Sequence, residues 1–245
     1  ITRIDKGTWW MEHSGEIDDV ADAEKARDEL IRISLGFWDF VKNRWEGRER
    51  LTHWALTDIP LLVARRESRR FVGDYTLTQE DVQTPTRFSD AVGFGGWGVD
   101  IHHPRGIFSG REGPFDFNAP SALYTIPYRC LYARDIPNLF LAGRCISVSR
   151  VALGTVRVQA TLGILGQAVG TAAYLGRRDG LGPREVGSER CTELQQLMLK
   201  HDQYIPGVAN RDPADLARDA RVRASSTASE TVFTERDVMR SRQQP

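Results

Sequence analysis

Between Asn138 and Gly170 the chain reads as a strand, a glycine turn, a loop and a long glycine-spaced helix. Leu139 to Ala142 is a short apolar run between Pro137 and Gly143, the pattern of a buried strand. From Gly154-Thr155 to about Tyr174, Val158, Leu162, Leu165, Val169 and Ala173 recur every three or four residues, which predicts one apolar helix face. Gly163, Gly166 and Gly170 interrupt that helix, each costing up to about 1 kcal/mol against alanine. Such a cost predicts that a sheet or a planar ligand comes close to the helix backbone there. The helix start would present unpaired N–H groups and the positive end of a dipole, a seat for an anionic or carbonyl-rich group. A strand feeding a helix in this way belongs to an α/β architecture.

The rest of the chain supplies shorter elements. Residues 8 to 12 predict an aromatic strand. Asp22 stands where a helix cap would be, and Ala26, Leu30, Ile33, Phe37 and Val41 form one face of a helix ending near Asn43. Leu61 to Ala64 predicts a strand. Thr78 and Asp81 have the spacing of a helix cap with an acidic third residue. Ala91 to Ile101 is a strand broken by glycines, and His103 to Pro120 is a long loop. Tyr124 to Tyr132 predicts a strand, Ser188 to about His201 a capped amphipathic helix, and Asp212 to Ala220 a short helix with Pro213 in its first turn.

Gly93-Phe-Gly-Gly-Trp-Gly98 matches G-x-G-x-x-G literally. A phosphate-binding turn must open a helix. Here Val99 to Pro104 follows, extended and closed by proline, so the glycines predict a bulge or a close backbone approach within a strand.

Charge excludes some partners. With 33 acidic and 33 basic residues the net charge is zero, so no global field draws in nucleic acid or an anionic membrane. Arginine greatly outnumbers lysine, which base composition explains. Cys130, Cys145 and Cys191 have no paired spacing and predict neither a zinc site nor a disulfide framework. No run of 18 apolar residues predicts a transmembrane helix. The chain opens on Ile1 rather than methionine, and the expectation is that it starts mid-protein, so a leader cannot be judged from it.

Eight short stretches in order carry a resemblance. They are Trp9-Trp-Met-Glu12 together with Trp38-Asp-Phe-Val-Lys-Asn43, Arg66-Glu-Ser-Arg-Arg70, Gly73-Asp-Tyr-Thr-Leu-Thr78, Ile126-Pro-Tyr-Arg129, Ala142-Gly-Arg-Cys-Ile-Ser147, and Ala152-Leu-Gly-Thr-Val-Arg-Val158 leading to Gly166-Gln-Ala-Val-Gly-Thr-Ala-Ala173. Over roughly residues 8 to 220 the chain resembles the bacterial FAD-dependent oxidoreductases, whose flavin fold is that of glutathione reductase and is related to the succinate and fumarate flavoproteins. The resemblance implies an α/β, two-domain flavoprotein of which this is the C-terminal part. A mixed-sheet substrate domain would span residues 1–128, and the closing segment of the Rossmann-like FAD domain 129–180. A helical extension would span 181–220 and a linker or tail 221–245. The N-terminal FAD-binding half, with the pyrophosphate turn, would then be the missing partner. The polar tail resembles either a disordered segment or the opening of a sugar-binding β-sandwich. A soluble protein, cytoplasmic or exported, is implied.

The resemblance implies FAD as cofactor and hydride transfer with a small-molecule substrate, possibly a carbohydrate or polyol. Two alternatives stay open: a non-catalytic carbohydrate-binding or surface protein that kept the fold, and a flavin-dependent lyase or isomerase. Gly143, Arg144, Gly154, Thr155, Thr161 and Leu162 are the implied cofactor neighbours. Arg144 stands where the fumarate enzymes carry an acidic residue, a departure from their ribose contact. Arg157, three residues after Gly154, is the first catalytic candidate, because a guanidinium at a helix start could bind a carboxylate or polarise a carbonyl. Its structural alternative is a salt bridge. His102 is the second candidate, since on a strand it shares a face with Asp100 and could act as a general base. His102 and His103 lack a nearby third ligand, so no metal is expected. Tyr128 could donate a proton or fill the core. Arg69 and Arg129 could bind a substrate anion or tie segments together. Trp9, Trp10 and Trp97 could stack on a sugar or pack.

Overall fold

A computed structural model describes residues 11–13, 15–67, 69–84, 86–112, 115–118, 123–218, 220, 221 and 223. The expected strand at residues 8 to 12 lies mostly outside the described residues, as does most of the tail. The chain forms two compact units, one of residues 1–68 and 100–117, the other of 69–99 and 118–245.

In the first unit α1 spans Ala23–Asn43. Its apolar stripe falls inward as the spacing predicts, with Ala26 and Val41 buried. The cap differs in detail. Asp18 Oδ1 accepts the N–H groups of Val20 and Ala21, at 2.9 and 3.0 Å, while Asp22 holds Lys25 at 2.7 Å. At the other end Val41, Trp45 and Leu51 form a small core with Phe37 and Trp38 against it. Lys42 Nζ closes that end by donating to the carbonyls of Leu51 and Trp54, at 2.9 and 3.0 Å. Leu61 to Ala64 is not a strand: it has no ladder partner, and Leu62 is 90% exposed. Apolar composition alone does not make a strand where nothing covers or pairs with it. The expected loop after His103 contains structure, a 3-10 segment Gly106–Glu112 and the strand Phe115–Asn118, which pairs with Val99–His102.

In the second unit α2, Gln79–Gln83, begins with the expected box: Thr78 accepts from the Asp81 N–H, and Asp81 accepts from the Thr78 N–H at 2.8 Å. Asp81 is also held by the Tyr75 hydroxyl, 3.0 Å from each carboxylate oxygen. β1, Ala91–Gly95, and β2, Val99–His102, are the two halves of the glycine-broken strand; counting Phe115–Asn118 as β3, β4 is Tyr124–Pro127. β1 runs antiparallel to β4, with a bulge between Ala91 and Gly93. Gly93 and Gly95 therefore lie within β1, after its bulge, and Gly96 to Gly98 form the bend that leads to β2. Gly93 allows a close approach: a Cβ there would lie 2.8 Å from Leu165 and 3.2 Å from Ile164 on the long helix packed over β1.

That helix is split. α3 spans Arg150–Val156 and α4 Gln159–Asp179, so the single helix expected from Gly154 does not form. Val158 is extended (φ −69°, ψ 143°), and Thr155, Val156 and Val158 are β-branched residues that favour such backbone. The buried face of α4 is Thr161, Leu165, Ala168, Ala172 and Leu175, rotated by about one residue from the predicted stripe. No sheet approaches Gly163, Gly166 or Gly170: among the described residues no protein atom outside the helix's own backbone lies within 4 Å of a Cβ at any of them. The predicted strand at Leu139 to Ala142 shrinks to one bridge, Tyr132 to Phe140, flanked by Ala133 N–H to Leu139 O at 2.9 Å and Leu141 N–H to Leu131 O at 2.7 Å. A turn at 137–138 and Gly143 (φ +80°) bracket it too tightly for a longer ladder.

The strand expected through Tyr132 stops at Pro127, which has no N–H to donate, and Tyr128–Cys130 is a 3-10 turn. The helix expected from Ser188 is two, α5 (Pro183–Glu189) and α6 (Cys191–Lys200), with Leu194 and Met198 buried. Gln195 on α6 donates to the carbonyls of Ser89 and Ala91, at 3.0 and 2.9 Å, and so secures the start of β1. The terminal helix reduces to the 3-10 turn Leu216–Arg218. Mixed helices and small sheets give the α/β character expected. Among the described residues no helix is long and apolar enough to cross a membrane.

Candidate functional site

Two groups of candidate residues emerge, one in each unit. In the second unit the junction of α3 and α4 carries most of them. Ser149 caps α3 through its side chain, accepting from the Ala152 N–H. Gly154 and Thr155 are buried inside α3 rather than standing at a helix start. The Thr155 hydroxyl donates to the Trp97 carbonyl at 2.5 Å, and its single proton is thereby used. The Tyr124 hydroxyl, 2.8 Å away, must then be the donor to Thr155 Oγ1. Burial pushes that phenol up to about 12. The Thr155 side chain is thus tied into the core, and only its backbone remains for a ligand.

Arg157 is the last residue of the turn: its N–H donates to Leu153 O at 3.0 Å, and Val158 then starts α4. Val158 has no side chain able to cap, and the first turn of α4 holds no acidic residue. The N–H groups of Gln159, Ala160 and Thr161 therefore have no acceptor within the 21-residue helix, and neither a capping side chain nor an acidic residue of the first turn meets them. Thr161 is buried and Leu162 half-buried at this end. The 3-10 turn Gly143–Cys145 packs against α4. Gly143 has φ +80°, a backbone that favours glycine, and Arg144 is exposed. Gly143, Arg144, Gly154, Thr155, Arg157, Thr161 and Leu162 thus belong to one continuous piece, rich in N–H donors and positive charge. A helix start of this kind can hold an anionic or carbonyl-rich group.

Tyr128 and Arg129 lie in the same unit but are otherwise engaged. Tyr128 is fully buried and donates to Pro183 O at 2.7 Å, over Gly187, and burial raises its phenol far above its ordinary value. Arg129 grips Asp90 with two nitrogens, Nε at 2.9 Å and Nη2 at 3.2 Å, and its guanidinium lies 5.2 Å from the Tyr75 ring centre. These are the contacts of packing and cross-linking residues. Arg69 is exposed. Trp97 is half exposed; Trp9 and Trp10 lie outside the described residues.

In the first unit β2 places Asp100 and His102 on one side, as alternation requires, with Asp100 Oδ1 3.3 Å from His102 Nε2. Two further residues complete the group, and neither was visible as such in the sequence. Glu12 Oε2 lies 2.5 Å from His102 Nδ1, and Arg66 Nη1 lies 2.6 Å from Nε2 and 3.2 Å from Glu12 Oε1. Each belongs to a motif noted above, yet nothing local joins positions 12, 66 and 102. His103 is separate. Its Nδ1 accepts from the Arg105 N–H at 3.1 Å, which leaves Nε2 to donate to Glu112 at 2.6 Å. Among the described residues no cluster of three or more His, Cys, Asp or Glu could hold a metal ion.

A family model described as FAD dependent oxidoreductase matches residues 2–198. Searches of characterised proteins and of solved structures give no significant match.

Proposed function

Since the chain belongs to the FAD-dependent oxidoreductase family and uses its cofactor, we propose that it oxidises or reduces a small organic substrate by hydride transfer; the α3–α4 junction is the proposed cofactor-contacting piece of the second unit, and His102 the proposed proton-handling residue of the first. When bound, FAD supplies the hydride chemistry. The observation that carries the reading is the uncapped start of α4, free of acidic residues and next to Arg157. Donors without acceptors fit a flavin edge lined with carbonyl oxygens, and they favour negative charge there. Backbone N–H groups around Gly143 and Arg144 extend that surface. Arg157 orients the cofactor or a substrate carboxylate with its fork. His102 accepts or returns a hydroxyl proton as hydride leaves or joins the adjacent carbon.

Residues 1–128 are the proposed substrate part and 129–180 the proposed closing piece of the cofactor domain, with 181–220 as a helical extension. The Gly93–Gly98 run joins two strands and opens no helix, so the FAD pyrophosphate is proposed to rest on a different segment. A polyol or another alcohol is the narrower proposal for the substrate, supported by a histidine suited to taking a hydroxyl proton.

An absorbance scan of the protein at its natural length tests this reading. Flavin bands that bleach on turnover with an alcohol and recover with an artificial electron acceptor are expected. A colourless protein that ignores added FAD would overturn it, and turnover without net oxidation would indicate isomerase or lyase chemistry. Arg157→Lys should lower turnover about 10- to 100-fold, because the charge stays and the fork is lost. Its melting temperature should barely change. Full turnover with a lowered melting temperature would assign Arg157 to a structural salt bridge.

A further inference from the structure

We propose that Glu12 is a positioning residue that fixes the proton of His102 on Nδ1, and that Arg66 is a guard on Nε2 which a carboxylate-bearing substrate must draw away. The proposal rests on the reading of His102 as the proton-handling group and names the substrate class as a hydroxy acid.

The tautomer follows from what each partner can do. An ionised carboxylate only accepts, so at 2.5 Å from Glu12 Oε2 the Nδ1 atom must carry the proton. A guanidinium only donates, so at 2.6 Å from Arg66 Nη1 the Nε2 atom must offer its lone pair. In that arrangement the Nδ1–H faces Glu12 and the Nε2 lone pair faces Arg66. Arg66 is held on two sides, at Nε2 and by Glu12 Oε1 at 3.2 Å. It is also the most accessible member, with its side chain 42% exposed against 21 to 25% for Glu12, Asp100 and His102. An approaching anion meets the guanidinium first. A carboxylate that pairs with Arg66 by its fork takes the donor from Nε2 and places its own neighbouring hydroxyl beside the base.

The step then balances. The substrate O–H proton would pass to Nε2 as the alcohol becomes a carbonyl, and FAD, when bound, would supply the two-electron acceptor for the hydride on the same carbon. Asp100 Oδ1, 3.3 Å from Nε2, would stabilise the imidazolium by its charge, while Glu12 holds the other nitrogen. Binding and basicity are thus coupled: an alcohol without a carboxylate has to compete with Arg66 for the lone pair and should react more slowly than one that carries it.

Long-range proton–nitrogen correlation spectra of the 15N-labelled chain test this without flavin and without turnover. The chain has five histidines, and His102→Gln identifies the relevant signals by their loss. At mildly alkaline pH the expected state is neutral with the proton on Nδ1. Glu12→Ala should spread the proton over both nitrogens, and Glu12→Gln, whose carbonyl still accepts, should restore Nδ1. Malonate, used as the carboxylate probe, should shift Nε2 toward an unbonded acceptor, and chloride at the same ionic strength should not. Arg66→Gln should sit at the shifted position and no longer respond. A proton found on Nε2 in the unsubstituted chain overturns the role of Glu12. An Nε2 signal that ignores malonate, or that moves equally with chloride, overturns the role of Arg66. A protein that shows these spectra but never binds FAD would fail the functional reading instead.

Discussion

Around His102 the candidate chemistry is made by side chains; at the junction of α3 and α4 it is made by backbone. Glu12, Arg66, Asp100 and His102 come from four places in the chain and meet through charged hydrogen bonds at their tips. At the junction the side chains of Thr155 and Tyr124 turn inward, and what the backbone contributes is a helix end and a left-handed glycine turn. The difference shows what each part tolerates. A side-chain group fails when one partner moves by an ångström, because its geometry depends on several remote segments. A helix end keeps its N–H groups as long as the helix is packed.

Two left-handed glycines sharpen that contrast, and the first has the largest expected effect. Gly106 (φ +51°) lies over the segment that carries Glu12: Ile107 N–H donates to Glu12 O at 3.0 Å, and a Cβ on Gly106 would collide with that same oxygen. Gly106→Ala combines backbone strain with a clash against backbone, so it should cost about 3 kcal/mol or more. Gly143 (φ +80°) has open space where its Cβ would be, so Gly143→Ala should cost only the strain, about 1–2 kcal/mol. Hydrogen exchange read segment by segment is the measurement, because a chain of two units need not melt as one. Protection should fall across residues 103–109 in the first variant and stay intact in α4. Equal losses in the two variants would break the contrast.

The same contrast explains which parts could be read in the sequence. α1 follows from its apolar spacing, and the Thr78 cap and the bulged glycine strand follow from local chemistry, because each needs only neighbours in the chain. The stripe of α4 was misplaced because its buried positions include Thr161, Ala168 and Ala172, which an apolar pattern underweights. Its division from α3 depends on the extended backbone at Val158, with β-branched neighbours as the only local sign. Leu139 to Ala142 looked like a strand because it is extended and apolar, but ladder length is set by turns at its two ends. Asp100 beside His102 was legible from strand alternation. Glu12 and Arg66 were not, because contacts across 90 and 36 positions leave no spacing to read.

Tyr128 tests the boundary between chemistry and packing, with a smaller expected effect. Its hydroxyl is buried and donates to Pro183 O at 2.7 Å, so Tyr128→Phe leaves a buried carbonyl without that donor. The cost should be about 1–2 kcal/mol, read as a lower denaturation midpoint at unchanged slope. Turnover per folded molecule should not change. If turnover collapses while the midpoint holds, Tyr128 acts on substrate and the packing assignment is wrong.

The smallest effect should have the opposite sign. Gly93 and Gly166 are both glycines of the region around α4, and a sequence reader would give them one explanation. Their surroundings differ. A Cβ on Gly93 would press on Leu165 at 2.8 Å, whereas a Cβ on Gly166 meets nothing within 4 Å. Inside a helix alanine is better than glycine by about 1 kcal/mol, partly because the unfolded chain loses freedom. Gly166→Ala should therefore raise the stability of α4 by about 0.5–1 kcal/mol, or a few degrees in melting temperature. Gly93→Ala should lower it, because Leu165 must leave its packed position. Paired thermal melts of the two variants decide the matter. A destabilised Gly166→Ala chain would mean that in solution something packs on the Gly163, Gly166 and Gly170 row, restoring the close approach that their spacing first suggested.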